Sequence, residues 1–143
     1  MCDAPWTVFN FIVPGKPHGY YACGGRSIWK MSPAQRKRTQ EYNGYSEKVR
    51  IYALQAGLTL PPQATKLNPV FISTKAFFEN GVHCDPGNVN KGIIDALFYA
   101  KTNKGSADKY TGGIYYPPYY SSLQPRVIVD VVFGDWEDWL WPT

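Results

Sequence analysis

Between His83 and Phe98 the chain reads HCDPGNVNKGIIDALF, and four of its side chains have types and spacing suited to handling a phosphate. Asp85, Asn88, Lys91 and Asp95 combine two carboxylates, an amide and an ammonium within eleven residues. Carboxylates at the edge of a rigid element can hold a divalent cation. The cation and a lysine can then neutralise a phosphodiester and help a leaving oxygen. The same spacing also suits a plain helix cap followed by a solvated polar face, so residue types alone leave both readings open.

A helix must position these groups. Asp85 precedes Pro86, and proline fits the first helical position because its missing N–H has no intrahelical partner. Asp85 is then the N-cap, and the pattern predicts a helix from about Pro86 to Lys101. At 3.6 residues per turn Asn88, Lys91 and Asp95 fall on one stripe. Val89, Ile93, Ala96, Leu97 and Ala100 fall on the roughly opposite, core-facing one. Val70–Glu79 (VFISTKAFFE) reads as the strand before it, ending at Asn80-Gly81. Strand, acidic turn, helix places the acid at a sheet edge.

Three further elements are predicted. Trp6–Val13 is a first strand, stopped by Pro14-Gly15. Ser32-Pro33-Ala34-Gln35 is a capping-box start to a helix reaching about Gln55, with Gly57 just past its end. Its buried side is Tyr42, Tyr45, Val49 and Tyr52. Arg126–Phe133 alternates, with Val127, Val129, Val131 and Phe133 on one face and Ile128, Asp130 and Val132 on the other. Asp130 there suggests a salt-bridged core residue or a further metal ligand. Leu58–Pro69 and the tyrosine-rich Tyr110–Ser122 read as connections, the latter as an aromatic DNA-facing loop, a dimer contact or a plain turn-rich link.

The 143 residues suit one domain with a real core. The net charge of +4 permits a polyanionic partner without demanding one. Lys16, Arg26 and Lys30, with Tyr20 and Tyr21, lie in a long glycine-rich segment whose cations can meet phosphates and whose rings can stack on unpaired bases. Arg36, Lys37 and Arg38 sit near a helix start, where they oppose the helix dipole and a phosphate would offset them. Three unpaired-looking cysteines make no disulfide framework or convincing zinc motif and fit a reducing compartment. No signal-like or long apolar run is found, so a cytoplasmic protein is expected, with no membrane partner. The tail after Gly134 mixes three tryptophans with three acids.

The order D-x-x-N-x-x-K-x-x-x-D-A-L, carried by Asp85, Asn88, Lys91, Asp95, Ala96 and Leu97, resembles the signature of the RusA family of Holliday junction resolvases. There it reads D-x-D-N-x-x-K-x-x-x-D-A-L, followed after a short loop by a further acidic pair. Weaker similarity extends over most of residues 7–134, including the turn Val13–Pro17.

The resemblance implies a mixed α/β (α+β) fold in which a small mixed sheet is flanked by two main helices. The strands and the two helices predicted above agree with it. It implies a homodimer acting on four-way DNA junctions with Mg²⁺, for which Mn²⁺ can substitute. Asp85, Lys91 and Asp108 become the catalytic set, with Asp85 and Asp108 on the metal and Asn88 and Asp95 in support. Lys16, Arg26, Lys30, Arg36, Lys37 and Arg38 become the DNA contacts. Two departures stand out: Gly87 occupies the place of the family's second acid, and Ala107 precedes Asp108 where a pair of aspartates is usual. Such genes are common on phages and prophages, which suggests that origin in a bacterial or archaeal host. Two rival expectations follow: a junction-binding protein that no longer cuts, and a nuclease for flaps, forks or other branches.

Overall fold

The computed structural model describes residues 7–21, 30–99 and 109–134. Arg26, Lys101, Lys104, Asp108 and the tail 135–143 lie outside the described residues. The elements are β1 (Thr7–Pro14), α1 (Pro33–Gln55), β2 (Val70–Phe78), α2 (Pro86–Leu97), β3 (Thr111–Tyr115), β4 (Tyr119–Tyr120) and β5 (Arg126–Phe133). They form a mixed α+β fold in which one sheet packs against two helices.

The sheet order is β1-β5-β2-β3, with β4 also pairing to β2. β5 lies antiparallel between β1 (Thr7 opposite Phe133, Pro14 opposite Arg126) and β2 (Val70 opposite Phe133, Phe77 opposite Arg126). β3 and β4 run parallel to β2. α2 is therefore the crossover that returns the chain to the start of the sheet.

Alternation decides which face is core. In β2 Val70, Ile72, Thr74, Ala76 and Phe78 are buried while Phe71, Ser73, Lys75 and Phe77 are half-exposed. The buried set joins Phe11 and Val13 of β1, Val127, Val129 and Val131 of β5, Val49 and Ala53 of α1, and Val89, Ile93, Ala96 and Leu97 of α2. Both helices thus cover the same sheet face. Each fully buried aliphatic chain there contributes about 1.5–3 kcal/mol over leaving it in water.

α1 has the expected ends. Ser32 Oγ accepts from Gln35 N at 3.2 Å, and Gln35 Oε1 accepts from Ser32 N at 3.1 Å. After Gln55 the chain turns at Gly57, whose φ of +95° suits a residue without Cβ. Tyr42, Tyr45 and Val49 are buried, and Tyr52 partly so.

Three expectations need correction. α2 ends at Leu97, short of Lys101, because Phe98 leaves helical geometry (φ −100°, ψ 12°) while its ring enters the core. The tyrosine-rich stretch is not only a connection: it supplies β3 and β4 and brings the sheet to five strands. Glycines 112 and 113 hid it, since glycine disfavours strands unless a neighbour needs the space. Asp130 is not in the core. It lies on the sheet's open face, where Asn10 Nδ2 donates to it at 2.6 Å.

Candidate active site

Asp85 caps α2 as its sequence context requires. One carboxylate oxygen accepts from Gly87 N at 2.6 Å, and the residue is exposed. The cap holds the carboxylate at the mouth of the β2–α2 turn and leaves its second oxygen as a donor to a cation. A side chain at position 87 would meet Asp85 Oδ1 at 3.1 Å and the Tyr115 ring at 3.1 Å. The end of β3 therefore crowds the place where the RusA pattern has its second acid.

One helical turn further, Asn88, Lys91 and Asp95 share the exposed stripe, as predicted. The segment Pro17–Tyr21 runs across this stripe, because Tyr20 N donates to Asn88 O at 3.0 Å. Lys91 Nζ sits 4.4 Å from the Tyr20 ring centroid, a cation–π contact. Asp95, expected in a supporting role, accepts at its Oδ2 from Tyr42 Oη at 2.6 Å. Burial, reinforced by the Asp95 carboxylate, pushes the Tyr42 hydroxyl far above its ordinary pKa, so the proton stays on Tyr42 as donor. Tyr20, Lys91, Asp95 and Thr111 border a shallow cleft of about 380 Å³ in which a phosphate can reach the ammonium.

The predicted basic residues divide. Lys16, Lys30, Lys37 and Arg38 are exposed. Arg36 is half-buried and donates to Met31 O at 3.4 Å, so part of its guanidinium serves the α1 entrance. Arg38 lies 5.5 Å from the Tyr21 ring centroid. His18 packs against the Tyr45 ring, and its pKa is lowered by burial first and by Lys16 second.

Two further residues matter to the site. Asn90, 4% exposed, donates to Ile72 O at 3.1 Å, Thr74 Oγ1 at 3.0 Å and Ile114 O at 3.0 Å. It pins α2 to β2 and β3 and so fixes the register of Lys91 beside it. A Cβ at Gly113 would collide with Asn90 Oδ1, which explains that glycine. An Asn on the core side of an otherwise apolar helix stripe was the available signal. His83 is the other: its ring stacks on Phe78, with centroids 3.9 Å apart.

Among the described residues no three His, Cys, Asp or Glu side chains gather as a metal-holding group. Mg²⁺ keeps several waters and needs as few as one or two carboxylates beside a substrate phosphate. Asp85 has one carboxylate oxygen outside the cap bond to offer such an ion, whose other positions phosphate and water would have to fill. Tyr110 O accepts from Val70 N at 3.2 Å, so β3 enters the sheet at the opposite end of β2 from Asp85. No helix among the described residues is long and apolar enough to cross a membrane. The chain matches no family model, no curated protein and no solved structure.

Proposed function

We propose that this protein is a Mg²⁺-dependent, structure-specific endodeoxyribonuclease of RusA-like type that cuts four-way DNA junctions by paired nicks. The observation that supports it most is the start of α2. There Asp85 is presented by its own cap, Lys91 follows on the exposed stripe, and the Tyr20 ring of the basic, aromatic segment Lys16–Tyr21 lies against Lys91.

In this reading Asp85 holds the metal and the scissile phosphate lies toward Lys91. A Mg²⁺ bound there supplies charge neutralisation at the phosphate and a more acidic water. Lys91, kept in place by the Tyr20 ring, steadies the phosphate or the departing 3′-oxygen. Asp95 and Tyr42 brace the stripe. Lys16, Lys30, Lys37 and Arg38 hold the flanking backbone, together with Arg26. Asp108 is assigned as the second acid by its place in the motif. Asp108→Asn tests that assignment. Two copies related by a two-fold axis would place two sites on opposed strands.

The test is competition. A labelled four-way junction is cut in Mg²⁺ while unlabelled junction, flap, fork and linear duplex compete. Symmetric nicking that only unlabelled junction suppresses efficiently is the expected result. Preferential suppression by flap or fork would make this a different branch nuclease. Binding without cutting in Mg²⁺ or Mn²⁺ would make it a junction-binding protein.

A further inference from the structure

A second cleft, of about 530 Å³, opens on the other side of Tyr20, between Lys16–Tyr21, α1 and the turn from β2 to α2. Tyr20 borders both clefts, so a strand crossing that ring passes from this cleft to Lys91. The floor of interest is His83. Its Nδ1 lies 2.7 Å from Cys84 O, and a carbonyl only accepts, so Nδ1 donates. Its Nε2 is 2.8 Å from Tyr120 Oη. One ring face is stacked on Phe78 at an interplanar angle of 13°, and Tyr120 meets the ring at a tilt of 56°. His83 and Phe78 both line the cleft, so the stacked pair borders it. Both nitrogens are engaged and the ring is clamped, as a fixed stacking platform requires.

The remaining lining suits a nucleotide. Lys16 and Arg38 offer cations to a phosphate, and Asn88 an amide. Glu79 and Asn80, also on the wall, offer an acceptor and a donor to the edge of a base. Every base has a π-face, so stacking on an aromatic ring takes unpaired bases with little sequence preference.

We propose that this cleft holds one unpaired deoxynucleotide of a branched DNA. Its base continues the Phe78–His83 stack, and its backbone leads over Tyr20 to Asp85 and Lys91. The inference rests on the branched-DNA reading and adds to it how the branch is sensed: a base that a duplex cannot release is needed to fill the cleft.

The experiment uses the full chain in EDTA, so that binding is read without cutting. Four-way junctions carry 2-aminopurine either at the branch point or deep in one arm. Binding is expected to change the fluorescence of the branch-point probe and leave the arm probe unchanged. His83→Ala is expected to abolish that change and weaken junction binding about tenfold, with duplex binding within about twofold. His83→Phe is expected to keep the signal, since it keeps the stack. Arg38→Ala, at an exposed helical position that does not threaten folding, is expected to weaken junction binding severalfold. An unchanged branch-point signal on binding, a full signal in folded His83→Ala, or no DNA binding at all would overturn the proposal. A protein that cuts junctions in Mg²⁺ yet shows no branch-point signal would lose this inference and keep its nuclease assignment.

Discussion

Asn90→Ala removes a side chain that ties three elements together. The amide has two N–H protons for three acceptors, Ile72 O, Thr74 Oγ1 and Ile114 O, all within 3.1 Å. Losing the equivalent of two neutral hydrogen bonds costs about 2 kcal/mol, and the buried acceptors that lose a donor, with the void left behind, raise this to roughly 2–4 kcal/mol. For a chain of this size that is a fall in Tm of about 6–15 °C. Circular dichroism through thermal and urea unfolding reads it directly. Asn88→Ala is the internal control: two residues earlier on the same helix, its side chain is exposed, and its change should stay within about 0.5 kcal/mol. Equal stabilities for the two variants would refute the pinning role of Asn90.

Other outcomes follow from single contacts. Ser32→Ala breaks the reciprocal cap of α1 and should cost about 1 kcal/mol by urea unfolding. Tyr42→Phe removes the 2.6 Å bond to Asp95; since Asp95 is exposed and can be rehydrated, about 1 kcal/mol is expected. His18 has a lowered pKa in the fold, so the unfolded chain takes up its proton first. Stability should be complete above the ordinary value of 6.5 and fall as pH drops below it toward the folded pKa. The difference in Tm between wild type and His18→Gln, followed from pH 7.5 to 5, should show that slope, and a flat difference would contradict it. Gly87→Asp combined with Tyr115→Ala supplies a second acid beside Asp85 and clears the ring that crowds it. The Mg²⁺ concentration for half-maximal cleavage should then fall severalfold, and no change would place position 87 away from the metal.

Much of this architecture is legible where local chemistry and tertiary packing agree. Ser-Pro-x-Gln followed by Gly57 announces both ends of α1, and Asp85-Pro86 announces the start of α2. Alternation in β2 and β5 names their buried faces. The exposed stripe of Asn88, Lys91 and Asp95 follows from helical period alone. What was not legible depends on partners distant in sequence. β3 is a strand because β2 and Asn90 accept it, although its glycines argue against one. α2 stops at Leu97 because the core takes Phe98, which no capping residue signals. Tyr42 reaches Asp95 across 53 positions, so the pairing was invisible beside the nearer Lys91.

The central claim concerns Asp85, and Asp85→Asn tests it cleanly. Asparagine caps a helix about as well as aspartate, so α2 and the turn should survive while the charge is lost. Single-turnover cleavage of a four-way junction in Mg²⁺, with binding read in parallel, is the measurement. A loss of cutting by at least about a hundredfold, with junction binding and Tm retained, is the expected result, given the weight of a metal-held charge in phosphodiester cleavage. Cutting at the wild-type rate by a folded Asp85→Asn protein would contradict the assignment and move the chemistry away from the start of α2.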